Sequence, residues 1–293
     1  MSSIYFGQVE EHAALQLLQL ALKEDLGDAG DITSQAVIPP ELEGNATFVA
    51  RAAGIISGVP IIRLVCQAID RNLQLAENLM DGSLLTPGMP IATISGSMRS
   101  ILAVERTALN FLQRLSGIAT LTSKYVEQVK DTHCQVLDTR KTTPGWRVLE
   151  KYAVRCGGGQ NHRMGLYDAV MIKDNHLAGL RHHGTPLAEA VRQARSAVGQ
   201  NVVVEVEVDS LEQLQEALPA QPDVVLLDNM KVEMLHRAVE IRNRTAPQVR
   251  LEASGGITLL TLKEVAETGV DCVSVGALTH SPQALDIALD YQE

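Results

Sequence analysis

The hydrophobic positions of this chain fall into two rhythms. In residues 12–26, Leu15, Leu18, Leu22 and Leu26 recur at helical spacing, and Gly27 stops the run. From Asn45 to Gly96 the pattern is β-like: NATFVARAAGIISG, NLQLAE and PIATISG are short runs broken by Gly and Pro. One helical segment, VPIIRLVCQAID at 59–70, interrupts them. A long helical pattern without proline then covers about Ser100 to Lys130. This portion reads as an α+β domain.

From Thr132 the period changes. Six apolar runs recur: CQVLD (134–138), DAVMIK (168–173), NVVVEVE (201–207), DVVLLD (223–228), VRLEAS (249–254) and DCVSVG (271–276). Helical patterns such as LAEAVRQARSAV, SLEQLQEAL, KVEMLHRAVEIRN and TLLTLKEVAETG separate most of them. Strand and helix in alternation predict βα units on a parallel sheet. A closed or nearly closed barrel fits, with a doubly wound open sheet as the alternative. No G-x-G-x-x-G opens the first unit, which lowers the dinucleotide-binding reading.

The chemistry stands at the C-terminal ends of these runs. They finish in Asp138 (then Thr139, Arg140 and Lys141), Lys173, the pair Glu205 and Glu207, Asp228 with Asn229, Ser254-Gly255-Gly256, and Gly276. In parallel α/β barrels the ligand site lies at that rim. Glu205 and Glu207 share a strand face. An acidic pair in an apolar strand is either a salt bridge or a ligand for a metal or hydroxyl. Asp228 has the same two readings, and carboxylates suit Mg²⁺ where a diphosphate must be held. Ser254-Gly255-Gly256-Ile257 with a helix after it reads as a phosphate cup, completed by Gly276, or as an ordinary turn.

Charge changes the picture locally. The chain of 293 residues has 25 Lys+Arg against 35 Asp+Glu, a net charge of −10. Such acidity with 3% aromatics excludes a general nucleic-acid or anionic-membrane binder, and no apolar run reaches membrane-spanning length. Four scattered cysteines with no C-x-x-C pair, and no signal-peptide pattern, point to a reducing cytoplasm. Yet residues 138–173 hold seven basic residues against Asp138, Glu150 and Asp168, a local balance of +4. Arg147 and Lys151 read as a solvated helix face with Glu150. Arg140, Lys141, Arg163 and Lys173 stand at strand ends or in Gly-rich loops and read as an anion site, with His162 beside them. His182 and His183 read as surface or packing residues. A metal site from His176, His182 and His183 has no spacing rule behind it. The residues by themselves thus suggest a barrel enzyme that takes a phosphorylated substrate, with Mg²⁺, and a second substrate rich in carboxylate.

The stretch DTRKTTPGWRVLEKYAVRCGGGQNHRMGLYDAVMIKDNH (138–176) resembles the quinolinate phosphoribosyltransferases, as do EDLGDAGDITS (24–34), ERTALNFLQRLSGIAT (105–120), EVEVDS (205–210), LLDNM (226–230) and EASGGI (252–257). The segment LAGLRHHGT (177–185) is a loop that this resemblance does not place. The resemblance implies an α/β fold of type II phosphoribosyltransferase-like form. An N-terminal α/β open-sandwich domain (1–116) precedes an incomplete, seven-stranded α/β barrel (117–293), and the last residues can return to the first domain. Six strands are legible; the seventh is unassigned. The acidic pair and Thr-rich turn usual in Rossmann-like phosphoribosyltransferases are absent, and DVVLLDN ends in a single Asp.

The resemblance further implies a homodimer with shared active sites. In it Arg106, which alone would read as an exposed helix residue paired with Glu105, enters the partner's site. The implied reaction joins quinolinate to phosphoribosyl pyrophosphate with loss of CO₂ and pyrophosphate, in de novo NAD biosynthesis. Arg106, Thr139, Arg140, Lys141, His162, Arg163 and Lys173 are implied for quinolinate. Lys141, Glu207, Asp228, Ser254, Gly255, Gly256, Val275, Gly276 and Ala277 are implied for phosphoribosyl pyrophosphate. Lys141, Glu207 and Asp228 carry the catalysis, and Glu207 and Asp228 hold Mg²⁺ directly or indirectly. The competing readings are a paralogue acting on another ring and a non-catalytic binding protein of the same fold. Intact Lys141, Glu207 and Asp228 argue against the second.

Overall fold

A computed structural model of the chain describes residues 4–181 and 184–292. His182 and His183 lie outside the described residues. In chain order the first elements are α1 (Gln8–Leu26), α2 (Ile32–Val37), β1 (Glu43–Ala50), β2 (Gly54–Ile55), α3 (Val59–Ile69), β3 (Gln74–Glu77), β4 (Leu84–Leu85), β5 (Pro90–Ser97) and α4 (Met98–Val129). There follow β6 (Gln135–Leu137), α5 (Arg147–Cys156), β7 (Ala169–Ile172), α6 (Asp174–Arg181), α7 (Leu187–Val198), β8 (Val203–Val208), α8 (Leu211–Ala217), β9 (Val224–Asp228) and α9 (Val232–Thr245). The last are β10 (Arg250–Ser254), α10 (Leu262–Glu267), β11 (Cys272–Ser274), α11 (Ala277–His280) and β12 (Ile287–Gln292). The chain divides into two units: Met1–Ser123 with Thr142–Gly158 and Leu278–Glu293, and Lys124–Lys141 with Gly159–Ala277.

The first unit is built on an antiparallel sheet in the order β12-β1-β5-β3. Strand alternation buries Ala46, Phe48 and Ala50 of β1, and β12 returns along β1 with Ile287 opposite Ala50. Gly58 immediately precedes helix α3, and the remote Asp81 caps the helix by accepting from the Gly58 and Val59 N–H groups, both at 2.9 Å. The Tyr152 hydroxyl donates to the same carboxylate at 2.7 Å. Helix α4 tolerates Gly117 for a packing reason: a Cβ there would overlap the Gln283 carbonyl. The charge pattern predicts a solvated face for Lys151 and Glu150 of α5, and the structure overturns that prediction. Both are fully buried, and Glu150 accepts from Arg114 at 2.6 Å and from the Thr143 N–H at 3.1 Å. Charge alone could not reveal this, because a buried ion pair and a solvated one have the same residue types.

The second unit holds six parallel strands in the order β6-β11-β10-β9-β8-β7. From β7 to β11 each strand lies beside the next in sequence. That is the winding of a barrel; a doubly wound sheet would reverse direction at a switch point. Beside β6 a single parallel bridge links Leu137 to Gln160, with Gln160 donating to Val136 and accepting from Asp138. Gln160 therefore stands on the β6 flank as an isolated bridge, and the described residues form six strands of this sheet, not seven. All four cysteines are free and buried. In the unplaced segment 177–185, residues up to Arg181 continue α6.

Candidate active site

Because the six strands are parallel, their C-terminal ends share one rim, and the polar residues read from the sequence gather there. Asp138, fully buried after β6, accepts from the Asn161 side chain at 2.7 Å and from the His162 N–H at 2.9 Å. It ties the Gly-rich segment after α5 to the strand end. Thr139, Arg140 and Lys141 follow, with the Lys141 N–H donating to Thr139 Oγ1 at 3.1 Å. Arg163 is held from the other side: Nη1 donates to the Ala169 carbonyl at 3.1 Å, and Nη2 lies 3.6 Å from Met171 Sδ. Burial, and then the charge of Arg140, lower the Arg163 pKa from its ordinary value. A guanidinium nevertheless stays charged in proteins, so two cations are kept near one another. That arrangement stores attraction for an anion.

The two acids of β8 divide between a lysine and an imidazole. Glu207 accepts from Lys173 Nζ at 2.6 Å. Glu205, 2% exposed, meets His162 Nε2 at 3.1 Å. His162 Nδ1 accepts from the Arg163 N–H at 2.8 Å. Both ring nitrogens thus face protein groups. Glu252 of β10 lies 3.5 Å from the same Nε2. Glu252 is absent from the site residues read from the sequence, although it carries the same signal as Glu205, an acid inside an apolar strand.

Asp228, at the end of β9, accepts from the Asn229 side chain at 2.7 Å. Asn229 has a left-handed backbone (φ 53), and its N–H donates to the Ser254 carbonyl at 2.8 Å. Asn tolerates that conformation better than most residues, which was the available sequence signal. It explains Gly255: at φ +95 a Cβ would overlap the Asn229 side-chain oxygen and come within 2.9 Å of its backbone nitrogen. Gly256 is also left-handed (φ +60), with open space beside it. Two successive left-handed glycines leave the backbone uncovered by side chains, as close approach of an anion requires. The expected helix does not follow at once. Residues 258–261 form a turn in which the Thr258 carbonyl accepts from the Leu262 N–H at 2.9 Å, and the six-residue α10 starts only there. Val275, Gly276 and Ala277 leave β11 at the same rim, with the Val275 N–H bonded to the Leu137 carbonyl at 2.9 Å.

Arg106 belongs to the first unit, on α4, and is exposed. It does not form the expected pair with Glu105, which accepts instead from the Tyr291 hydroxyl at 2.5 Å. Three further cations of the basic stretch also lie in the first unit. Arg147 donates to Thr142 at 3.1 Å, Arg155 pairs with Glu10 at 2.7 Å, and Lys151 is buried.

Among the described residues, the only metal-compatible grouping of three His, Cys, Asp or Glu side chains is His162, Glu205 and Glu252. A cation on Nε2 would require a proton on Nδ1, which instead accepts a hydrogen bond. Glu207 and Asp228 are hard oxygen donors at adjacent strand ends, too few to cage Mg²⁺. Their number does suit the usual Mg²⁺ arrangement, in which one or two carboxylates act with substrate phosphates.

Two family models match the chain. "Quinolinate phosphoribosyl transferase, N-terminal domain" covers residues 31–116, and the corresponding C-terminal domain covers 118–290. A probable nicotinate-nucleotide pyrophosphorylase [carboxylating] of Bacillus subtilis (strain 168) is 44% identical over 275 residues, 94% of this chain and 92% of that one. The nicotinate-nucleotide pyrophosphorylase [carboxylating] of Mycobacterium leprae (strain TN) is 44% identical over 283 residues, 96% of this chain and 98% of that one. The solved structure of the nicotinate-nucleotide pyrophosphorylase of Francisella tularensis superposes with a TM-score of 0.88 at 40% identity, covering 96% of each chain.

Proposed function

Since the chain belongs to the quinolinate phosphoribosyltransferase family, we propose how its residues divide the work of that reaction. The enzyme is a decarboxylating pentosyltransferase of de novo NAD biosynthesis. It joins quinolinate to phosphoribosyl pyrophosphate and releases nicotinate mononucleotide, pyrophosphate and CO₂. The name nicotinate-nucleotide pyrophosphorylase describes the same equilibrium from its other end. The observation that best supports a dicarboxylate ring substrate is the clustering of Arg140 and Arg163, with Arg140 close enough for its charge to lower the Arg163 pKa after burial does.

Quinolinate binds through Arg140, Lys141, Arg163 and Lys173, with Thr139 beside them and His162 behind Arg163. Bidentate guanidinium contacts orient its planar carboxylates. Lys141 lies between the substrates and offsets charge on the departing pyrophosphate. Ser254, Gly255 and Gly256, with the Val275–Gly276–Ala277 turn, receive the 5′-phosphate through backbone N–H groups. Glu207 and Asp228 take the ribose hydroxyls and stabilise positive charge developing at C1′. These two carboxylates would also hold Mg²⁺, which neutralises phosphate charge when bound. When quinolinate enters, its carboxylates compete with Glu207 for Lys173 and release Glu207 toward the ribose.

The pyridine nitrogen attacks C1′ as the bond to pyrophosphate breaks. Once ribosylated, that nitrogen is cationic and accepts the electron pair left when the 2-carboxylate departs as CO₂. A proton then fills C2. Release of CO₂ ahead of pyrophosphate would reverse this order.

A homodimer is part of the proposal, with the partner's Arg106 completing the quinolinate site. Its exposure, and the engagement of Glu105 by Tyr291, support this reading. The reaction is placed in the cytoplasm, a reducing compartment that suits four free buried cysteines. No helix among the described residues is long and apolar enough to cross a membrane.

The deciding assay measures Mg²⁺-dependent release of labelled CO₂ from quinolinate with phosphoribosyl pyrophosphate, beside nicotinate as competitor substrate. Equal use of nicotinate would remove the dicarboxylate assignment.

A further inference from the structure

Glu252 lies midway along β10 and is 2% exposed, as is Glu205 on β8. Both carboxylates turn to the same His162 nitrogen, at 3.1 Å from Glu205 and 3.5 Å from Glu252. Because Nδ1 accepts from the Arg163 N–H, the proton of the neutral ring sits on Nε2. One N–H cannot satisfy two carboxylates, and Oε1 of each is buried without a hydrogen bond. Two bare charges here would be strongly unfavourable. The conflict disappears if one carboxyl keeps its proton. Glu252 is the one disposed to do so: burial first, and then the Glu205 charge, push it up to about 7. The groups facing it are Glu205 from β8, His162 from the segment after α5, and Cys272 and Ser274 from β11.

His162 joins this buried group to the rim. Its own N–H is held by Asp138 at the end of β6, and its ring receives the N–H of Arg163. Acids from two strands therefore meet one imidazole while Asp138 after a third holds the backbone of the same residue, and the next residue is a cation of the anion site. We propose that Glu252 is a positioning residue: as a carboxylic acid it bridges Glu205 and His162, and so fixes the orientation of Arg163 toward the dicarboxylate substrate. The proposal rests on the assignment of Arg163 to quinolinate.

The test is steady-state kinetics on the full chain. Glu252→Gln preserves shape and neutrality, so kcat and both KM values should stay within about twofold of the parent near pH 6. Glu252→Leu removes the hydrogen bonds, so KM for quinolinate should rise about tenfold or more while KM for phosphoribosyl pyrophosphate stays within about twofold. Between about pH 6 and about pH 8 the parent's KM for quinolinate should rise, as a negative charge appears behind Arg163, more steeply than that of Glu252→Gln. A tenfold loss in Glu252→Gln would mean that an ionised carboxylate is needed, and would overturn the proposal. So would parallel pH profiles of parent and Glu252→Gln, or equal rises of both KM values in Glu252→Leu. If Glu252→Leu does not fold, the Glu252→Gln pH comparison decides alone. Failure of the parent chain to turn over quinolinate would remove the reaction assignment and this proposal together. Normal parent turnover with insensitive variants would remove this proposal only.

Discussion

Lys173 and Glu207 form an ion pair of 2.6 Å across neighbouring strands β7 and β8. The sequence reading gave one to the dicarboxylate and the other to the ribose. Their pairing makes each the other's counter-charge. Lys173 is close to half exposed, so the pair adds little stability. Glu207→Gln should change unfolding free energy by less than about 1 kcal/mol, measured by denaturant titration. Its kcat should fall on the order of 100-fold or more if the carboxylate meets charge at C1′. A loss of stability with kcat unchanged would make the pair purely structural.

Lys141 is exposed, and its backbone, through Thr139, sets its position. Lys141→Ala should therefore leave folding and oligomeric state unchanged and lower kcat by about 100- to 1000-fold. Size-exclusion chromatography and single-turnover pyrophosphate release check the two halves. Undiminished release would take Lys141 out of the mechanism.

The two glycines after β10 should respond differently. Gly255→Ala must displace Asn229 as well as strain the backbone, so KM for phosphoribosyl pyrophosphate should rise about tenfold or more. Gly256→Ala meets no neighbour and should lose only about 1 kcal/mol of stability through its backbone conformation. Equal kinetic effects of the two would show that Asn229 does not set the turn.

Glu252 gives the folded chain a proton that the unfolded chain lacks between its ordinary value of 4.5 and about 7. The folded state binds more protons there, so this group's stabilising contribution is complete below the lower value. It is lost as pH rises, at up to about 1.4 kcal/mol per pH unit, and the loss levels off above the upper value. Glu252→Gln should become progressively more stable than the parent across that window. Chemical denaturation at several pH values reads the difference, and a constant offset would mean that Glu252 ionises normally in the folded chain.

Shared active sites make a direct prediction. Arg106→Ala and Lys141→Ala chains should each be inactive, but mixed and reassociated they form heterodimers with one intact site. Random reassociation should recover on the order of one quarter of parent activity. No recovery, with exchange verified by mass, would place Arg106 outside the partner's site.

Most elements were legible from local pattern. The α7 boundaries, Leu187–Val198, match the periodic run LAEAVRQARSAV; five of the six parallel strands fall within their apolar runs, and β8 extends one residue past its run, to Val208. Periodicity failed where a residue's environment decides its meaning. Lys151 reads as a surface cation and is buried. The helix after Gly256 begins late because Thr258 first closes a turn. A seventh strand has no counterpart among the described strands: beside β6 stands only the bridge residue Gln160.

The sequence by itself determined the alternation of strand and helix, the polar residues at strand ends and the concentration of cations in 138–173, because these are properties of order and composition along the chain. Which charges meet was decided only by the tertiary structure. Glu205 and Glu207 are chemically alike and two residues apart, yet one faces a buried imidazole shared with Glu252 and the other a half-exposed lysine. Strand register and burial set those partners, and they arise from contacts across the sheet that no local spacing encodes.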